Sequence, residues 1–284
     1  VAGRRNVVYS IAYVLAALTS GWLLTHLPFT LGYQVVFGIG TAGAGLSCLN
    51  LFFIRPQPPA LPPVRTAPPS STAGGGQPTF LRAWRASLRT DIWRTPFAAV
   101  LLVMLGLHLT QYLPSPLFSL YTVNVMHLTD QNIGIGTGLY YTCCLIGSSQ
   151  VHRFDRPLGP RILTALGFMM MSFYPFLMGL SHSATGYYVI SIIGGFGWAL
   201  VGSAYANYVL KGIPEHDRPA YLAWYNIILN ASILAGSLLG PAIAQSTGLA
   251  AALVLIGACR FLAGLAILKW GQPQGLQLDP SGQG

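Results

Sequence analysis

Charge is what this chain has least of. Only 7% of its 284 residues are charged, while 53% are hydrophobic and the mean hydropathy is +0.56. A soluble domain of this length would need far more polar surface, so the composition excludes one and leaves an integral membrane protein. Aspartate and glutamate number six in total, none inside a long apolar run, with Asp130 at the edge of one. Carboxylates are the usual intramembrane proton carriers, so any coupling proton falls to His108 or to spans outside this chain. Cysteine is sparse as well. Cys48, Cys143, Cys144 and Cys259 lie within apolar runs and lack C-x-x-C or Cys/His spacing, which excludes a metal site and leaves small packing residues. No phosphate-binding loop, H-E-x-x-H or G-x-S-x-G occurs, so no cofactor is implied and an enzyme is not expected. The net charge of +9 sits in short clusters between apolar runs, where it sets topology; nucleic acid is therefore not an expected partner.

What the chain has is a succession of membrane-length apolar runs. The spacing predicts spans at 6–27, 33–54, 96–118, 132–151, 162–181, 186–209, 220–244 and 249–269, each long enough at about 1.5 Å per residue to cross roughly 30 Å of hydrocarbon. A twin-arginine signal at Arg4-Arg5 is the rival reading of the first run. That run is too long for one, carries Tyr9, Tyr13 and Trp22, and has no small-x-small cleavage site. Residues 55–79 hold eight prolines and Gly74-Gly75-Gly76, a linker unable to form a core or a helix. From Phe80 to Arg94, Leu81, Trp84, Leu88 and Ile92 fall on one helical face and Arg82, Arg85 and Arg89 on another, which predicts a basic amphipathic helix in the cytoplasmic interface. The connections at 119–131, 182–185 and 245–248 contain no lysine or arginine. Those at 152–161 and 210–219, with the linker and both ends, hold nearly all of them. The positive-inside rule then places both ends of this chain in the cytoplasm, and the plasma (inner) membrane is the expected location.

Two spans, a long basic linker and six spans: in this order, together with Asp155-Arg156 and Gly159-Pro160-Arg161 between the fourth and fifth spans, the chain resembles the major facilitator superfamily. Asp155 to Arg161 is similar to that family's D-R-x-G-x-R loop, with one extra residue at Pro157-Leu158 and Val151 in place of the usual glycine. Gly3-Arg4-Arg5 and Glu215-His216-Asp217-Arg218 are similar entries into equivalent spans of two halves, and Gly236-Ser-Leu-Leu-Gly240-Pro241 resembles a glycine-proline motif of some exporters. The resemblance implies an all-α polytopic bundle with eight spans and the family's first four absent, a fragment beginning at Val1. Residues 1–54 would be the last two spans of the first bundle, 55–94 the cytoplasmic linker, 95–270 the complete second bundle and 271–284 a cytoplasmic tail. It also implies a secondary transporter moving a small organic solute by alternating access, with the lipid bilayer, the missing spans and a coupling proton as its partners. The alternative is a membrane scaffold or sensor built on a truncated bundle. An intramembrane enzyme ranks below both.

Polar groups inside spans mark where a solute could be held. His108, Gln111, Tyr112 and Ser115 fall at i, i+3, i+4 and i+7 and form one stripe, read as cavity lining or, for His108, as a bond to an adjacent helix. Asn226 and Asn230 make a second polar face, as cavity or interhelical glue, while Trp198 and Tyr205 project from a face shared with Gly195 and Gly202. Tyr13 would contribute from the first span; Tyr140 and Tyr141 read as a packing pair. Arg260, inside the last span, reads as structural hydrogen bonding more than as an anion site. By resemblance, Asp155, Arg156, Gly159 and Arg161 form a gating loop, with Asp155 meeting the start of the first span near Arg5.

Overall fold

The computed structural model describes residues 2–53, 89–213 and 217–270, excepting the side chains of residues 2–7, 51, 52, 152 and 154–156. The proline-rich linker, the first nine residues of the basic helix expected at 80–94, Glu215-His216 and the C-terminal tail therefore lie outside the described residues.

The described residues are helical throughout. They form α1 (Ala2–His26), α2 (Phe29–Phe52), a 3-10 turn (Thr90–Arg94), α3 (Phe97–Tyr112), α4 (Ser115–Asn124), α5 (Asp130–Gln150), α6 (His152–Met178), α7 (Ala184–Lys211), α8 (Arg218–Thr247) and α9 (Leu249–Trp270). Two compact units result, residues 1–25 with 90–284, and residues 26–89. The smaller unit holds α2, where Phe29, Tyr33 and Phe37 stack successively at i and i+4 with ring centroids 4.8 and 6.4 Å apart. Six segments among the described residues are long and apolar enough to cross a membrane: Val8–His26, Phe97–Asn124, Pro157–Met178, Ala184–Lys211, Arg218–Thr247 and Leu249–Trp270. Leucines, isoleucines and phenylalanines such as Leu234, Leu238 and Leu262 stand exposed along them, which is the surface a protein presents to lipid rather than to water.

In the larger unit, the expected spans at 132–151, 186–209, 220–244 and 249–269 coincide with α5, α7, α8 and α9 to within three residues. Two expectations are corrected. The basic segment at 152–161 is no loop but the first part of α6, interrupted only at Gly159, whose φ of 74° and ψ of 161° no β-carbon-bearing residue adopts easily. Charges and prolines read as loop, yet two short helical stretches joined by one glycine accommodate them. Thr90–Arg94 is a 3-10 turn, and Ile92 is fully buried in the core beside Phe97 and Val100 instead of lying on an interfacial face. The span expected at 96–118 lies within one membrane-length segment, Phe97–Asn124, interrupted between α3 and α4 at Leu113-Pro114.

That division positions the functional site. Pro114 has no N–H, so the carbonyl of Thr110, four residues earlier, loses its helical donor. Pro175, inside α6, does the same to Met171. Arg260 of α9, 1% exposed, meets both: Nε and Nη2 donate to Thr110 O at 3.1 and 2.7 Å, and Nη1 donates to Met171 O at 3.2 Å. Nη2 also reaches Gln111 O at 3.1 Å. One guanidinium thus occupies the carbonyls that two prolines expose, and ties α3, α6 and α9 together. The broken end of α3 rests on α8, where a β-carbon at Gly240 would lie 2.1 Å from Leu113 O and one at Gly236 would lie 2.8 Å from the carbonyl carbon of Tyr112. The glycine-proline motif is therefore the seat of the α3–α4 break.

Candidate functional site

Among the described residues, helices α1, α3, α5, α6, α7 and α8 line an open-sided cavity of about 390 Å³. His108, Gln111 and Tyr112 enter it from α3 at i, i+3 and i+4. Helix α1 supplies Tyr9, Ser10 and Tyr13; α5 supplies Tyr141, Cys144 and Ser148; α7 supplies Trp198, Val201, Gly202, Tyr205 and Ala206. Phe168 of α6 and Leu229 of α8 complete the wall. No aspartate, glutamate, lysine or arginine is among these lining residues.

His108 is the best-connected polar group. It is 6% exposed, its Nε2 lies 3.1 Å from the Tyr225 hydroxyl, and Tyr205 meets its ring edge-on at 6.0 Å. It thus both bonds to a neighbouring helix and stands among the residues that line the cavity. Tyr13 and Tyr141 stack at 4.4 Å with their planes 8° apart, joining α1 to α5 at the cavity wall. Tyr141 is therefore more than half of a pair with Tyr140, whose ring also turns towards Tyr174 at 6.0 Å. The α1–α5 contact is close because a β-carbon at Gly134 would lie 2.8 Å from Ala17 O. Gln111 is unusual in that its Oε1 is buried with no hydrogen-bond partner.

Of the residues named from sequence, the cavity gathers Tyr13, His108, Gln111, Tyr112, Trp198 and Tyr205. It does not gather Ser115, Asn226 or Asn230. Ser115 begins α4 beyond the Pro114 break, so the unbroken 3.6-residue period that placed it on the stripe does not apply. Asn226 and Asn230 are exposed and satisfy themselves, their Nδ2 atoms donating to Leu222 O at 2.9 Å and Asn226 O at 2.7 Å. Gly195 packs against the backbone of Tyr140, away from the cavity, whereas Gly202 lies beneath Trp198. Tyr141, Cys144 and Ser148 were not singled out as lining, although their i, i+3, i+7 spacing marks one helical face.

The gating-loop residues are placed less completely. The side chains of Arg5, Asp155 and Arg156 lie outside the described residues. Gly159 is the break in α6, and Arg161 Nη2 donates to Leu268 O on α9.

A helical bundle with an apolar outer surface and a cavity whose described lining residues are largely aromatic and carry no Asp, Glu, Lys or Arg defines a polytopic membrane protein. The chain belongs to the Major Facilitator Superfamily, whose family model matches residues 1–234 and residues 100–282. No match was found among curated proteins. Membership makes this an integral membrane protein of a transporter family and not an enzyme.

Proposed function

We propose that this chain is part of a secondary active transporter that moves a small organic solute by alternating access. The cavity among α1, α3, α5, α6, α7 and α8 carries the reading, since a solute-sized space is lined by side chains from six helices. Counting α2 and α5, which at 24 and 21 residues extend about 36 and 31 Å, gives eight spans. On this reading residues 1–54 are the last two spans of a first bundle and 95–270 a complete second bundle, with four spans encoded upstream. The alternation of basic and uncharged connections supports cytoplasmic ends and an inner-membrane location. Among the described lining residues, His108 is the one imidazole and the natural carrier of a coupling proton.

In the gating proposal, the anionic Asp155 is held by Arg5 and the N-terminus of α1 when the cavity faces outward. Asp155→Asn should then shift the protein towards inward-open. Labelling a cysteine introduced at Ser148 with a membrane-impermeant maleimide from each side of sealed vesicles measures this; unchanged accessibility removes the gating role. Sequencing the DNA upstream of the Val1 codon tests the bundle assignment. Four further apolar spans in frame support it, while a start codon close to Val1 gives the scaffold reading the lead.

A further inference from the structure

Helix α9 contributes no residue to the cavity wall and α6 only Phe168, so the seam between these two helices does not depend on the spans expected upstream. The helices pack closely, since β-carbons at Gly257 and Gly264 would each lie 2.8 Å from side-chain carbons of Phe176 and Met169 on α6. The outer surface of the seam is apolar. Ile162, Leu166 and Phe173 stand exposed on one face of α6, at i, i+4 and i+11, and Leu262 and Leu265 stand exposed on α9.

At the basic end of this seam two cations come together. Arg161, near the start of the α6 span, reaches across to α9, where its Nη2 donates to Leu268 O. The next residue, Lys269, is exposed, and its Nζ lies 5.0 Å from the ring centroid of Trp270, within cation–π range. Arg161 Nε is buried without a partner and Nη2 is engaged, so Nη1 is the nitrogen left for a ligand. Two like charges side by side repel each other and attract an anion. Trp270, more than half exposed, marks the level of the lipid headgroups.

We propose that the α6–α9 seam binds one anionic phospholipid, whose phosphodiester bridges Arg161 Nη1 and Lys269 Nζ and whose acyl chain lies along Ile162, Leu166 and Phe173. The match is one of length as well as charge. Ile162 to Phe173 covers about 16 Å of helix, close to the roughly 15 Å of hydrocarbon in one leaflet. With the basic ends cytoplasmic, as proposed above, this is the inner leaflet, where anionic lipids reside.

The test is native mass spectrometry of the full chain released from detergent, titrated separately with dioleoyl phosphatidylglycerol and dioleoyl phosphatidylcholine, which share their chains and differ in net headgroup charge. A basic side chain near an anionic lipid is worth about fivefold in affinity, so two should give the first phosphatidylglycerol a preference of roughly 25-fold. Lys269→Gln should lower that preference to about fivefold, and so should Arg161→Gln; if the latter does not fold, Lys269→Gln decides. Arg94→Gln removes an exposed cation in the turn before α3 and should leave the preference unchanged within about twofold. Inorganic phosphate in millimolar excess should not displace the lipid, because it has no chain to lay along the seam. A preference below about threefold in the unaltered chain, or one that Lys269→Gln leaves intact, overturns the proposal. Equal losses in Lys269→Gln and Arg94→Gln overturn it in favour of diffuse attraction to the basic side, and displacement by phosphate overturns it in favour of a free-anion site.

Discussion

Replacing Arg260 with leucine should destabilise the protein, and the reason can be worked from the two prolines. Arg260 makes four N–H···O contacts to three carbonyls on α3 and α6. Interhelical hydrogen bonds in membranes average about 0.6 kcal/mol and reach about 1.7, so losing this set costs about 2–4 kcal/mol after the relief of desolvating the guanidinium. In a domain of this size that lowers the unfolding midpoint by roughly 5–15 °C. Arg260→Lys, with one nitrogen for three acceptors, should fall between. The sharper test is a mutant cycle. Pro114→Ala and Pro175→Ala return an N–H to within reach of Thr110 O and Met171 O, so in that background Arg260→Leu should cost less by about 1–2 kcal/mol. Thermal unfolding in detergent, followed by size-exclusion chromatography, measures all members. A cost for Arg260→Leu that is the same in both backgrounds, within about 0.5 kcal/mol, refutes the idea that Arg260 is there for the prolines.

Three further outcomes are expected. Gly240→Val should lower the yield of monodisperse protein and destabilise it by at least about 1–3 kcal/mol, because the obstacle to its β-carbon is the Leu113 backbone; Gly106→Ala, with open space around it, should be neutral or stabilising in the same melting assay. Tyr13→Ala should reduce stability by less than about 1.5 kcal/mol in the same melting assay, since one stacking partner is lost from an exposed edge. His108→Phe keeps the ring among Tyr205, Tyr112 and Tyr225 and removes only the proton-carrying nitrogens. If His108 carries the coupling proton, proton-driven accumulation in vesicles should vanish while solute exchange persists; loss of both would mark it as a packing or binding residue.

Helix positions were legible because a bilayer leaves little choice: apolar runs of membrane length between polar connections must be helices, and α5, α7, α8 and α9 fell within three residues of expectation. What escaped was local. Gly159 alone turns a basic loop into two joined helical stretches, and a run of charges and prolines gives no sign of that. The cavity was half legible for the same reason. Helical spacing found the faces carrying His108 and Trp198, but spacing assumes an intact helix, and Pro114 interrupts the stripe between Tyr112 and Ser115. Asn226 and Asn230 show the opposite limit, because an asparagine in a span can satisfy itself on its own helix and need not point to a site.

Arg260 connects these cases. From sequence it is a lone cation in an apolar helix, and Pro114 and Pro175 are bends in two other helices separated from it by 146 and 85 residues. Only when α9 packs against both does the carbonyl freed by each proline come within reach of one guanidinium. The contact to Gln111 O fixes the backbone of a residue that lines the cavity. The bend, the buried charge and the binding wall are therefore one arrangement. A substitution at Arg260 that still folds should therefore disturb the α3 wall at His108 and Gln111 before it disturbs the wall formed by Tyr13 and Tyr141, which belong to α1 and α5 and touch none of the carbonyls Arg260 holds.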